Sequence, residues 1–87
     1  MKPEQIFQQL KDLAEKLDIK VSEQSFASAS IPVKSGYCKV RGQHRFIIDK
    51  KLTFYKKNKI LATFLSRYPM EEIYVVPKIR EFLESHK

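Results

Sequence analysis

Residues 37–49 read YCKVRGQHRFIID, a run in which apolar and polar side chains alternate on either side of a central Gly-Gln pair. Two runs of period two around a glycine-containing break predict a β-hairpin. Pairing Val40 with Phe46 and Cys38 with Ile48 would place these four apolar side chains on one face. The other face would then carry Tyr37, Lys39, Arg41, Arg45, Ile47 and Asp49.

Helical patterns flank the hairpin. Pro3 suits a first helical turn, and the apolar residues after it recur at helical spacing, which predicts a helix from about residue 3 to 18. Residues 19–22 alternate as a short strand does. Beyond the hairpin, Thr53 is expected to cap a second helix that ends before Pro69, and Pro77 is expected to open a third. The predicted buried stripe of the second helix is Ile60, Leu61, Phe64, Leu65 and Tyr68.

The order helix, strand, hairpin, helix, helix predicts an α+β fold with the helices packed on a small sheet. A chain of 87 residues has room for one domain, so we expect residues 1–87 to form a single unit. Residues 22–36 are rich in serine and lack periodicity, which predicts a mobile loop without chemistry.

Cysteine content and hydropathy bear on location. A single cysteine, Cys38, allows no disulfide within the chain and no thiolate zinc site, which fits a reducing compartment. No apolar run approaches the roughly 20 residues of a membrane span. The expected location is the cytoplasm, without membrane insertion.

Positive charge is concentrated in the middle of the sequence. Residues 34–68 hold ten of the seventeen lysines and arginines but only one acid, Asp49, whereas the flanking segments are nearly neutral. A concentrated block of one sign produces a directional field that attracts anionic partners. A lysine-rich surface that is merely solvated is the alternative explanation.

The start of the second helix supports the explanation that the basic block binds an anionic partner. Lys50 and Lys51 precede it and Lys56, Lys57 and Lys59 occupy its first two turns. Each cation placed at the positive end of a helix dipole costs about 0.3 to 1 kcal/mol. A bound anion would offset this cost, because a helix N-terminus already offers free backbone N–H groups.

Cations beside an aromatic side chain are typical of proteins that bind single-stranded nucleic acid. Only Tyr37 is clearly placed to stack, and of Phe54 and Tyr55 one is expected to pack into the core. No known RNA-binding or zinc-finger motif is present. The predicted anion-binding or nucleic-acid-binding residues are Tyr37, Lys39, Arg41, Arg45, Lys50, Lys51, Lys56 and Lys57.

Catalysis finds little support in the sequence. A nucleophile or general base needs a second polar group within hydrogen-bond reach. His44 falls in the predicted hairpin turn, His86 lies beside the C-terminal residue, and Cys38 is assigned to the apolar face. We therefore predict no catalytic residue, no metal site and no cofactor.

Residues 47–67, IIDKKLTFYKKNKILATFLSR, resemble the strand and active-site helix of ImmA/IrrE-type zinc peptidases. That family has an apolar strand, a turn, Leu-Ser or Leu-Thr at the helix cap and then, at this spacing, Leu-Ala-His-Glu-Leu-Gly-His. Thr63 and Arg67 stand where the pattern has its zinc-binding histidines, and Phe64 where it has the catalytic glutamate. The resemblance therefore implies an inactive relative of that scaffold that binds no zinc. The matching residues are Leu52, Thr53, Leu61, Ala62 and Leu65.

These observations predict a small, basic, non-enzymatic binding module with nucleic acid as its partner. The alternative is a protein-interaction domain, on a degenerate peptidase-like scaffold, that binds an acidic protein or associates with itself through the hairpin edge. A small enzyme acting on a phosphorylated substrate is a third possibility.

Overall fold

Three helices and three strands form the described part of the chain, residues 1–24 and 36–87 of a computed structural model. This α+β single domain confirms the predicted fold class. Within the described residues no helix is both long and apolar enough to cross a bilayer. In chain order the elements are α1 (Pro3–Lys16), β1 (Ile19–Gln24), β2 (Gly36–Val40), β3 (Gln43–Asp49), α2 (Phe54–Leu65) and α3 (Pro77–Glu84).

Helix α1 begins at Pro3, as predicted, and ends at Lys16, two residues earlier than expected. Its apolar stripe is buried against the rest of the core. Asp18 then adopts a left-handed conformation (φ 62°), which turns the chain directly into β1. The buried residues of α1 are Phe7, Leu10, Leu13 and Ala14.

Thr53 caps α2 as the sequence predicts. Its Oγ1 accepts a hydrogen bond from the backbone N–H of Lys56 (3.3 Å), which satisfies one of the helix's free donors. The helix ends at Leu65, four residues before Pro69. In the third helix, Ile79 and Leu83 are buried and complete the core beside α1 and α2.

The sheet has the strand order β1-β3-β2. β1 is parallel to β3, with Val21 opposite Phe46, and β2 is antiparallel to β3. The helices pack on one face of the sheet, where Ile19, Phe46 and Ile48 are buried. Among the described residues of the other face none is buried, so we call it the open face. Its described residues are Lys20, Ser22, Gln24, Gly36, Cys38, Val40, Gln43, Arg45, Ile47 and Asp49.

The predicted hairpin register is wrong. Val40 pairs with Gln43 and Cys38 with Arg45, around a two-residue turn of Arg41 and Gly42. Both turn residues have positive φ (51° and 81°), the requirement of a type I′ turn. Because the shift from the predicted register is an odd number of residues, it exchanges the two faces of β2 relative to β3.

Both ends of the predicted serine-rich loop at 22–36 belong to strands instead. Ser22 to Gln24 continue β1, paired with residues 47–49 of β3, and Gly36 already belongs to β2. Residues 25–35 lie outside the described part of the chain.

The exchange of faces changes the expected behaviour of Cys38. In the predicted register its thiol would face the helices, but it lies half-buried on the open face. We expect a small thiol reagent to label Cys38 in the native protein, because no helix must move to expose the sulfur. Adding denaturant at a low concentration should not change the labelling rate. Stopped-flow labelling with a disulfide reagent measures this rate. Labelling that occurs only on unfolding would contradict the observed register and favour the predicted one, in which the thiol faces the helices.

Candidate functional site

Lys57 does not belong to the surface predicted from the sequence. It is only 5% exposed and its Nζ lies 3.6 Å from Oε2 of Glu23. The same Nζ sits over the rings of Phe54 (4.8 Å to the centroid) and Phe7 (5.6 Å). An ammonium group enclosed in this way serves the packing of α2 against α1 and β1.

Arg45 lies on the other side of the sheet from the remaining predicted residues. It is half-buried on the open face, beside Cys38 and Lys20. Its Nε is buried and forms no hydrogen bond with the described part of the chain. The structure therefore separates Arg45 from Tyr37 and Lys39, with which the sequence had grouped it.

Three predicted lysines surround the start of α2. Lys50, Lys51 and Lys56 have exposed side chains, while their backbone N–H groups are fixed by hydrogen bonds. Lys50 N–H donates to the carbonyl of Gln24 (3.0 Å) and Lys51 N–H to the Asp49 carboxylate (3.0 Å). The first turn of α2 contains no acidic residue. The backbone thus holds three cations at the positive end of a helix dipole.

Tyr37, Lys39 and Arg41 lie at and near the hairpin turn. Tyr37 and Lys39 are on the face of β2 that is turned towards the helices, and Arg41 is in the turn itself. The Tyr37 ring packs on that of Phe64 in α2, with centroids 5.8 Å apart and an interplanar angle of 28°. Its hydroxyl group is hydrogen-bonded to Nδ1 of His44.

Helix periodicity connects these two groups of residues. Lys56, Ile60 and Phe64 follow one another at intervals of four, so they lie along one side of α2, the side on which Tyr37 packs. Lys39 pairs with His44 near one end of β3, and Lys50 follows Asp49 at the other end. The two groups of cations are therefore separated by about 17 Å at 3.3 to 3.4 Å per residue. We call this surface the basic flank, and it consists of Tyr37, Lys39, Arg41, Lys50, Lys51 and Lys56.

None of the five cations of the basic flank forms an ion pair with a described residue. The ion pairs within residues 1–24 and 36–87 are Lys57 with Glu23 and Lys87 with Glu84. Their positive potential therefore remains available to a partner.

Sequence reasoning missed the rings that support Tyr37. Phe64 stacks on Phe46 (4.3 Å, 16°) and meets Tyr68 edge to face (5.3 Å, 69°). The signal was present in the sequence, because Phe64 and Tyr68 are four residues apart on the predicted apolar stripe. What the sequence did not show was that Tyr37 is on the same face of the sheet as Phe46.

Possible catalytic groups are held apart from one another. Cys38 is on the open face, and His44, bonded to Tyr37, is on the helix side of the sheet, so they cannot act as nucleophile and base. Nδ1 of His86 is bonded to the carbonyl of Phe82 (2.7 Å) at the end of α3. No cluster of three potential metal ligands occurs in the part of the chain that the structure describes.

The positions that resemble the peptidase active site carry other contacts. The Thr63 hydroxyl donates to the carbonyl of Lys59 (2.7 Å), Phe64 lies in the ring cluster, and Arg67 is exposed beyond the end of α2. Comparison of the chain with protein-family models, with curated proteins and with solved structures finds no match. The resemblance to zinc peptidases stays a prediction.

Proposed function

We propose that this protein is a non-enzymatic module that binds nucleic acid through the basic flank. The observation that carries the proposal is the set of five exposed cations at the hairpin turn and around the start of α2, none of them paired with a described acidic residue. Phosphate groups are the partner that such a surface favours, since neutralising them releases counterions. The set consists of Lys39, Arg41, Lys50, Lys51 and Lys56.

The start of α2 gives this surface a place for a phosphate. Thr53 satisfies the N–H of Lys56, but the N–H groups of Phe54 and Tyr55 in the same turn have no partner within the helix. These donors and the helix dipole favour an anion there, with Lys50 and Lys51 beside it. Binding an anion would also offset the repulsion between the lysines and the dipole.

The proposed compartment is the cytoplasm. Cys38 is the only cysteine, so the fold depends on no disulfide within the chain. Nucleic acid is available there, and the reducing conditions keep a half-exposed thiol in its reduced form.

A salt titration tests the proposed function. With about five neutralised phosphates, log K for an unstructured oligonucleotide should fall against log salt with a slope of roughly −3 to −4. Replacing Lys50, Lys51 and Lys56 with glutamine should reduce the magnitude of the slope by about 2, because three contacts are lost. Fluorescence anisotropy over a series of salt concentrations measures both slopes.

A control with the same change in net charge separates the basic flank from general electrostatics. Lys16, Lys20 and Lys78 are exposed and lie outside the flank, so glutamine at these three positions should leave the slope nearly unchanged. Equal effects of the two triple variants, or a slope of zero for the unchanged protein, would contradict the proposal.

One observation favours the alternative of protein interaction. β2 is at the edge of the sheet, pairs with no described strand other than β3, and exposes Val40. An extended acidic segment or a second copy of the chain could pair with such an edge. Equal affinity for an acidic peptide and for the oligonucleotide in the titration above would favour this alternative.

A further inference from the structure

We infer that Tyr37 is a stacking site for an unpaired nucleobase, which makes single-stranded nucleic acid the ligand of the basic flank. This inference rests on the proposed function and adds to it the class of strand that is bound. It is carried by the arrangement of rings around Tyr37, which is independent of the distribution of charge.

Three rings form a column that leads from the core to the surface. Phe46 is buried in the core, Phe64 stacks on it at 4.3 Å, and Tyr37 stacks on Phe64 at 5.8 Å, with interplanar angles of 16° and 28°. Tyr37, at the outer end, is 45% exposed. A further planar group added to this column would continue a series of offset-stacked rings, the arrangement that aromatic groups prefer.

Two described rings contact the Tyr37 ring, and part of its surface stays exposed. Phe64 covers the inner face. The His44 imidazole is also stacked against the Tyr37 ring (5.5 Å between centroids, interplanar angle 30°), and its Nδ1 is bonded to the Tyr37 hydroxyl. The exposed part of the ring remains available to a ligand.

Tyr37 is also held in a fixed orientation before any ligand arrives. Its ring rests on Phe64 and its hydroxyl group is bonded to His44, so two contacts define both side-chain torsions. A ring fixed in this way loses little conformational entropy on binding. By contrast, Tyr55 is 75% exposed and makes no ring contact with a described residue.

The cations of the basic flank lie near the expected path of the phosphate backbone of a strand whose base stacks on Tyr37. Lys39 is two residues from Tyr37 on the same face of β2, and Arg41 follows in the turn. Lys56 lies on the side of α2 that leads to Phe64. A base on Tyr37 would therefore have cations on both sides along the basic flank, the combination used by proteins that bind single strands.

A single strand fits this site and a duplex does not. Bases inside a duplex are stacked on both faces, so a ring fixed to the protein can reach one only after it has been unstacked, at a cost of a few kcal/mol. An unpaired base has a free face, and every base can stack, so we expect little sequence preference.

An abasic oligonucleotide tests the inference, because it keeps the phosphates and removes the bases. At fixed salt, the protein should bind a thymidine oligonucleotide about 5- to 150-fold more tightly than an abasic one of equal length. Tyr37→Leu should remove most of this difference without changing the affinity for the abasic strand. Tyr37→Phe keeps the ring and should stay close to the unchanged protein.

Tyr74→Leu is the matched control, since Tyr74 is 73% exposed, makes no ring contact with a described residue and lies outside the basic flank. It should leave both affinities unchanged. Equal affinity of the unchanged protein for the two strands, with the salt dependence retained, would overturn stacking and leave the proposed function standing. Absence of binding to both strands would overturn both, and a Tyr74→Leu effect equal to that of Tyr37→Leu would overturn the assignment to Tyr37.

Discussion

Leu61→Ala should destabilise the protein by about 2 to 5 kcal/mol. Leu61 is fully buried in α2, within the cluster that also contains Leu10 and Leu65. The substitution removes buried methyl groups and leaves a cavity, while alanine is the better helix former, so helix propensity does not contribute to the loss. A domain of this size has a free energy of unfolding of about 4 to 13 kcal/mol, so the loss is a large fraction of the total.

Thermal unfolding followed by circular dichroism measures this effect. Tm should fall by roughly 8 °C or more, since about 1 kcal/mol corresponds to 4 to 8 °C in a domain of 60 to 100 residues. Thr63→Ala, on the exposed side of the same helix, is the control and should change the stability by no more than about 0.5 kcal/mol. Similar Tm values for the two variants would mean that α2 does not present Leu61 to the core.

The helices were predictable because their signals are local. Pro3 and Thr53 mark the first two helix starts, Pro77 marks the third, and apolar residues at intervals of three and four define the buried stripes. The sheet was less predictable because strand pairing is not local. Alternation identified β1 and the hairpin, but nothing in the alternation specifies that β1 pairs with β3 and runs parallel to it.

The hairpin register depended on one turn. A type I′ turn needs positive φ at both central residues, and asparagine or aspartate before glycine is its usual signal. Here Arg41 occupies the first position, so this signal is absent, and the predicted pairing of Val40 with Phe46 differs by three residues from the observed pairing of Val40 with Gln43. The predicted pairing therefore puts Tyr37 and Lys39 on the face of Arg45, whereas they lie on the opposite face, the one turned towards the helices.

The sequence predicts the charge of the candidate site but not the burial of its individual residues. Net charge and the cations at the start of α2 can be read directly from the sequence, since they depend on position along the chain. Burial of an individual lysine depends on what packs against it. Lys57 lies at intervals of four from Leu61 and Leu65, which places it on the buried side of α2, but only the structure shows Glu23 and two rings around it.

The neighbouring residues Lys56 and Lys57 should respond in opposite directions to the same substitution. Lys57→Glu should destabilise the protein by about 3 to 5 kcal/mol, because it places a carboxylate in a buried site facing Glu23 and the faces of Phe7 and Phe54. Lys57→Met should be nearly neutral, since methionine fills a similar volume without a charge and Glu23, a third exposed, remains hydrated.

Lys56→Glu should instead stabilise the protein by about 0.3 to 1 kcal/mol. It places an acid in the first turn of α2, three residues after Thr53, where it completes a capping box and interacts favourably with the helix dipole. Because Lys56 belongs to the basic flank, the same change should weaken oligonucleotide binding, whereas Lys57→Met should leave binding unchanged. Chemical denaturation and the anisotropy titration give the two quantities for each variant. If Lys57→Glu were tolerated, or if Lys57→Met weakened binding as much as Lys56→Glu, Lys57 would have to face solvent and α2 would have to be rotated about its axis.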